Sequence, residues 1–200
     1  MRRFLPAVAA ATLALALSAC SSDGDNNETS PASTPVSSPD IAMTVKAAPD
    51  QDPNGTRPVG FDPCTGIGDE TITKAGFDPK TRRRSDQIHT GYAFISCRFD
   101  HKEDVNGQLL TTRSVNISST GITLDQFRQR EASTATDIQI DGQPAVAYHD
   151  PSSEYCDVVT KGPDSSLVVE ATSTGTFTDW NPCDHVQEIA TVVASAVNSR

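Results

Sequence analysis

The chain has 200 residues, 26 acidic against 16 basic side chains, a formal net charge of -10 at neutral pH and 36% apolar residues. An acidic balance of this kind repels phosphate backbones, so a nucleic-acid partner is not expected. The apolar content suffices for one ordinary domain core, and the one long apolar run falls short of the ~20 residues a membrane-crossing helix needs.

That run extends from Phe4 to Leu17, behind Arg2 and Arg3, and closes on Leu17-Ser18-Ala19-Cys20. A positive start, a short apolar segment and small residues at the end are the layout of a secretory signal. The cysteine adds to it: the pattern resembles a bacterial lipobox, in which a peptidase cuts before the Cys and that Cys carries lipid. The expectation is therefore a signal peptide over residues 1–19 and a lipidated Cys20. The chain would be exported and anchored to the outer face of a membrane without spanning it. Cleavage removes two arginines and no acid, which moves the formal charge from -10 to -12.

Residues 20–60 then hold Pro31, Pro35, Pro39, Pro49, Pro53 and Pro58 among Ser, Thr, Asp and Asn. So few large apolar side chains cannot offset the entropy of ordering, and a disordered tether is expected. A flexible coil of this length spans about 35 Å root-mean-square. Ile41 to Val45 is the one stretch there that could order.

Residues 61–200 read as a single domain. Asp62 before Pro63 and Cys64 opens a helix, with Asp as cap and Pro in the first turn. Gly66 and Gly68 interrupt it, Asp69-Glu70-Thr71-Ile72 restarts it and Gly76 ends it. Lys80 with Arg82, Arg83 and Arg84 is the only basic cluster and reads most simply as a solvated loop. Tyr92 to Phe99 alternates, with Ile95, Cys97 and Phe99 on one face. Asn106-Gly107 is a favoured two-residue hairpin turn, and Leu109 to Ser118 alternates after it. Asp100 to Asp104 reads as the charged, solvated end of that hairpin.

Thr123 and Gln126 make a capping box, flanked by Ile122 and Phe127 at staple positions, so a helix starts there and runs toward Ser133. Two strand pairs follow. Asp137 to Ile140 and Ala145 to His149 join around Asp141-Gly142. Tyr155 to Thr160 and Leu167 to Thr172 join around Gly162-Pro163. Asn181-Pro182-Cys183 opens a last helix, whose Val186, Ile189, Ala190, Val193 and Val197 form one apolar stripe. The element order predicts an α+β fold: an antiparallel sheet with helices packed on it.

Beyond Cys20, an even set of four cysteines in an exported chain reads as two disulfides. Three connectivities are open. Cys64 and Cys183 each lie just inside a helix start, while Cys97 and Cys156 each lie in a strand. Cys64–Cys97 and Cys156–Cys183 would each pin a helix end to the sheet, and that pairing is the expected one. Neither these cysteines nor His89, His101, His149 and His185 have the close spacing of a metal site, so no metal or other cofactor is expected.

Phe61-Asp62-Pro63-Cys64, then Ala75-Gly76-Phe77-Asp78-Pro79, then Cys97 and the late Asn181-Pro182-Cys183 resemble an actinobacterial family of exported lipoproteins of unknown function. The lipobox and the Pro/Ser tether fit the same family. The resemblance implies an exported, disulfide-braced domain and brings no activity with it. A likeness to PsbP-type sheets is an analogy of fold, which does not give function.

No catalytic spacing appears: neither Gly-x-Ser-x-Gly, nor His-Glu-x-x-His, nor a phosphate-cradling glycine loop. Tyr148-His149-Asp150 with Glu154 offers a His and carboxylates without a marked nucleophile, and Asp184-His185 reads as surface. Trp180 reads as a cover for the core or, if exposed, as a binding hot spot. The expectation is a non-enzymatic envelope module that binds a protein, glycan or lipid. The alternative is a hydrolase-like enzyme with an unrecognised site.

Overall fold

The computed structural model describes residues 38–55 and 57–199. The signal peptide, Cys20 and the first part of the expected tether lie outside the described residues. Twelve elements follow in order: α1 (Pro63–Gly66), α2 (Asp69–Lys74), β1 (Asp78–Arg84), β2 (Gln87–His89), β3 (Tyr92–Val105), β4 (Gln108–Thr120), α3 (Leu124–Arg130), β5 (Thr136–Ile140), β6 (Gln143–Tyr148), β7 (Tyr155–Lys161), β8 (Ser166–Ser173) and α4 (Pro182–Asn198).

The helix starts use the caps that the sequence carries. Asp62 accepts from the Cys64 amide at 2.9 Å, Asn181 from the Cys183 amide at 3.0 Å, and Thr123 and Gln126 complete a reciprocal capping box. The hairpins turn where left-handed backbone is tolerated: φ is 56° and 82° at Asn106 and Gly107, and 50° and 73° at Asp141 and Gly142. Both pairs have the positive φ at two successive residues that a type I′ turn requires.

All strand pairs are antiparallel, in the order β1-β3-β4-β8-β7-β6-β5, with β2 also on β3. Strand alternation divides the side chains between two faces. One face presents Cys97, Phe99, Val115, Ile117, Val158, Leu167 and Val169, and the apolar stripe of α4 is buried against it in the same core. The fold is thus α+β, as the element order implies. Among the described residues no helix is long and apolar enough to cross a membrane.

Three sequence readings need correction. First, Arg82, Arg83 and Arg84 form strand β1, not a solvated loop. The Arg82 guanidinium is fully buried, reaches Asp69 at 2.6 Å and the Cys64 carbonyl at 2.9 Å, and lies 4.8 Å over the Phe99 ring. Arg83 pairs with Asp100, and Arg84 with both Asp62 and Asp86. A run of like charge becomes a strand here because each cation meets a carboxylate distant in sequence. Second, Asp100 to Asp104 is the continuation of β3, and Asp100 is buried, accepting from Arg83 and from Ser114 at 2.8 Å.

Third, the domain begins before residue 61. Val59 is buried with Ala93 and Ile95, Ala48 packs on that cluster, and Val45 packs on the main core. Asp52 accepts from the Gly91 amide at 2.9 Å, and the Asp69 amide donates to the Asp40 carbonyl at 2.9 Å. The few apolar residues in this polar segment pack on these two clusters, so a strap of polar composition still docks.

Candidate functional site

The second face of the sheet carries the site. Its register aligns one row of side chains across five strands: Arg98 opposite Asn116, Asn116 opposite Glu170, Glu170 opposite Asp157, and Asp157 opposite Tyr148. The neighbouring row runs through Ser96, Ser118, Val168, Val159 and Val146. Helix α3 covers only one end of this face. Its Phe127 packs with Ile122, Val159 and Val168, against Phe94 and Tyr148.

What α3 leaves open is a cleft of about 610 Å³. Its apolar wall is a run of rings: Phe94 and Phe127 meet edge-on at 6.5 Å, and Phe127 and Tyr148 stack at 6.4 Å. Its floor is polar and includes Asn116, Ser118, Asp157 and Glu170, with Arg130 and Glu131 at the rim. The Arg130 guanidinium sits 6.0 Å over the rings of both Phe127 and Tyr92.

The carboxyls on the floor are unusual. Asp157 is 4% exposed and its carboxyl has no hydrogen bond or ion pair. Burial, then the charges of Glu170 and Glu131, push its carboxyl up to about 8. Burial also raises Glu170, although Arg98 and a hydrogen bond from Thr172 act the other way. Burial raises Tyr148 as well, with Asp157 as the next cause. The buried Asp100 and the half-buried Asp86 have arginine partners, and each is held below the usual carboxylate range in spite of burial. At neutral pH the floor therefore offers a protonated carboxyl that can donate, beside a second carboxyl and phenol and amide groups. Perturbed groups gathered in a cleft mark a candidate functional site.

Of the residues singled out in the sequence, Tyr148 and Asp150 line the cleft and His149 does not. Asp150 is tied into a turn by the Ser152 amide and hydroxyl, whose hydrogen bonds lower it. Glu154 is exposed. No cluster of three His, Cys, Asp or Glu suited to a metal occurs among the described residues. Trp180 is half-buried between His185, stacked at 5.0 Å, and Arg113, 5.4 Å from its ring. Cys64 and Cys97 are joined with Cα atoms 4.9 Å apart, and Cys156 and Cys183 with Cα atoms 5.1 Å apart, so each bridge ties a helix start to a strand.

Sequence reading missed Asp157 and Glu170. The available signal was a single acid inside each of two apolar strands, Cys156 to Val159 and Leu167 to Ala171. Only the register makes these two acids neighbours.

Fold and site together define a disulfide-braced α+β domain with one sheet face packed and the other hollowed into a polar, aromatic-walled cleft. The family model described as "Protein of unknown function (DUF3558)" matches residues 15–196, and the chain belongs to that family. No curated protein and no solved structure matches the chain.

Proposed function

We propose that this chain is an exported lipoprotein, lipidated on Cys20 and held at the outer face of a bacterial cell membrane, whose domain binds an envelope glycan without turning it over. The lipobox pattern supports the anchor. The cleft carries the binding reading. Its volume lies in the ~300–1,000 Å³ range of small-ligand sites. Ring faces beside hydrogen-bonding groups suit a sugar, which has apolar faces and a hydroxyl rim. A floor bearing carboxyls and amides disfavours an acyl chain, and a concave site disfavours a flat protein partner.

Two measurements test this. Cys20→Ala should release the protein from membranes or stall it as precursor; a matured variant that stays membrane-bound would refute the anchor. Calorimetry of the detergent-solubilised mature chain against defined two- to four-sugar oligosaccharides should give saturable binding, weakened at least tenfold by Phe127→Ala. Binding by neither wild type nor variants, or hydrolysis of a bound sugar, would overturn the binding-module reading.

A further inference from the structure

We infer that the ligand of this cleft presents a primary ammonium group, as an unacetylated amino sugar does, and that the ammonium seats between Asp157 and Glu170. The inference rests on the glycan reading and narrows it to a substrate class.

Three observations lead there. The first is the register: Asp157 and Glu170 are direct cross-strand partners on the cleft face, so their side chains are closest neighbours. Like charges so placed repel each other unless a proton or a cation lies between them.

The second is the missing partner. Asp157 is more than nine-tenths buried and lines the cleft, and its carboxyl has neither hydrogen bond nor ion pair. None of the neighbouring cations pairs with Asp157. Arg98, on β3, lies 4.0 Å from Asp100 and its charge also favours ionised Glu170, but no arginine charge acts on Asp157; Arg130, on α3, lies over two rings. The other groups facing Asp157 are acids or phenols: Glu131 after α3, Tyr148 on β6 and Tyr155 on its own strand. His149 shares a separate small cavity with Asp157 and is exposed. A buried, uncompensated carboxylate is costly, so its complement is expected to come from outside.

The third is the wall. Phe127 and Tyr148 line the same cleft, and aromatic rings attract an organic cation. A bare metal ion would require further oxygen or nitrogen ligands, and no such cluster occurs among the described residues.

The physical consequence is an exchange. Without ligand, a proton occupies the acid pair; with ligand, the ammonium replaces it. Binding should release protons at pH 6–7 and tighten as pH rises from 5 to 7, by at most about tenfold per pH unit for one proton.

The test uses the mature chain in detergent at 0.15 M salt, which screens its net negative charge. Three probes are titrated at pH 7: the trisaccharide of β-1,4-linked glucosamine, its fully N-acetylated form, and n-butylammonium. The free-amine trisaccharide should bind at least tenfold more tightly than the acetylated one, with proton release seen by changing the buffer's ionisation enthalpy. Asp157→Asn and Glu170→Gln should each cut that preference to below threefold. Their melting temperatures show that they are folded. Equal or tighter binding of the acetylated sugar would overturn the ammonium inference and leave the glycan reading standing. Binding of n-butylammonium with neither sugar bound would overturn the glycan reading and keep the cation site. No binding of any probe would overturn both.

Discussion

Asp157→Asn should stabilise this domain, and the gain should depend on pH. In the unfolded chain the carboxyl ionises near the ordinary 3.8, whereas in the folded protein it holds its proton up to about 8. Between those values the folded state binds a proton that the unfolded state has released. Folding stability therefore falls as pH rises from about 4 and levels off above about 8. The interval is about four pH units, and at about 1.4 kcal/mol each the ceiling is about 5–6 kcal/mol. The cleft is open, so water and local relaxation relieve much of this, leaving an expected penalty of about 2 kcal/mol at pH 7.5. Asn matches Asp in shape and carries no charge. Thermal unfolding at pH 7.5 should show the variant melting about 4–8 °C above wild type, at ~2–4 °C per kcal/mol for a domain of this size. At pH 4.5 the two should nearly coincide. Glu170→Gln should shift in the same direction by less, because Arg98 and Thr172 already favour its charged form. A variant that melts lower at pH 7.5, or an equal difference at both pH values, would refute the reasoning. Stability given up at one buried acid is what a functional site would show.

A chain starting at Val59 should melt below one starting at Ser38, by about 2–3 kcal/mol, since it loses the packing of Val45 and Ala48 and the Asp52 hydrogen bond; equal melting temperatures would show that the strap adds nothing. Arg82→Met should cost about 3 kcal/mol in chemical denaturation, because the Asp69 carboxylate and the Cys64 carbonyl lose their shared donor. Arg82→Lys, which cannot reach both partners with a rigid fork, should recover only part of that. Removing both cysteines of either bridge should cost about 3–4 kcal/mol, the chain-entropy value for loops closed over separations of 33 and 27 residues. Non-reducing peptide mapping that links Cys64 to Cys156 or Cys183 would overturn the pairing on which that figure depends.

The sequence by itself was enough for everything local. Asx-Pro openings, the Thr123–Gln126 capping box, the Asn106-Gly107 and Asp141-Gly142 turns and the α4 stripe each act over a few residues. Their physics is complete within a short window, so helices, hairpins and the α+β class are legible. Tertiary structure decided what depends on distant partners. Lys80 to Arg84 has the composition of a solvated loop and becomes a strand because Asp62, Asp69 and Asp100 arrive from elsewhere, with Asp86 just beyond it, to neutralise its arginines. Residues 38–59 have the composition of a tether and dock because a few apolar side chains pack on the hydrophobic clusters of the domain. The candidate site follows the same rule. Tyr148 and Asp150 stood out in the sequence, but Asp157 and Glu170 looked like isolated acids in apolar strands. Their adjacency, and the cleft above them, exist because β7 pairs with β8 in one particular register and α3 covers only part of the face beyond. Register is a property of the assembled sheet: sliding β7 by one residue would turn Asp157 to the opposite face and leave Glu170 without its neighbour.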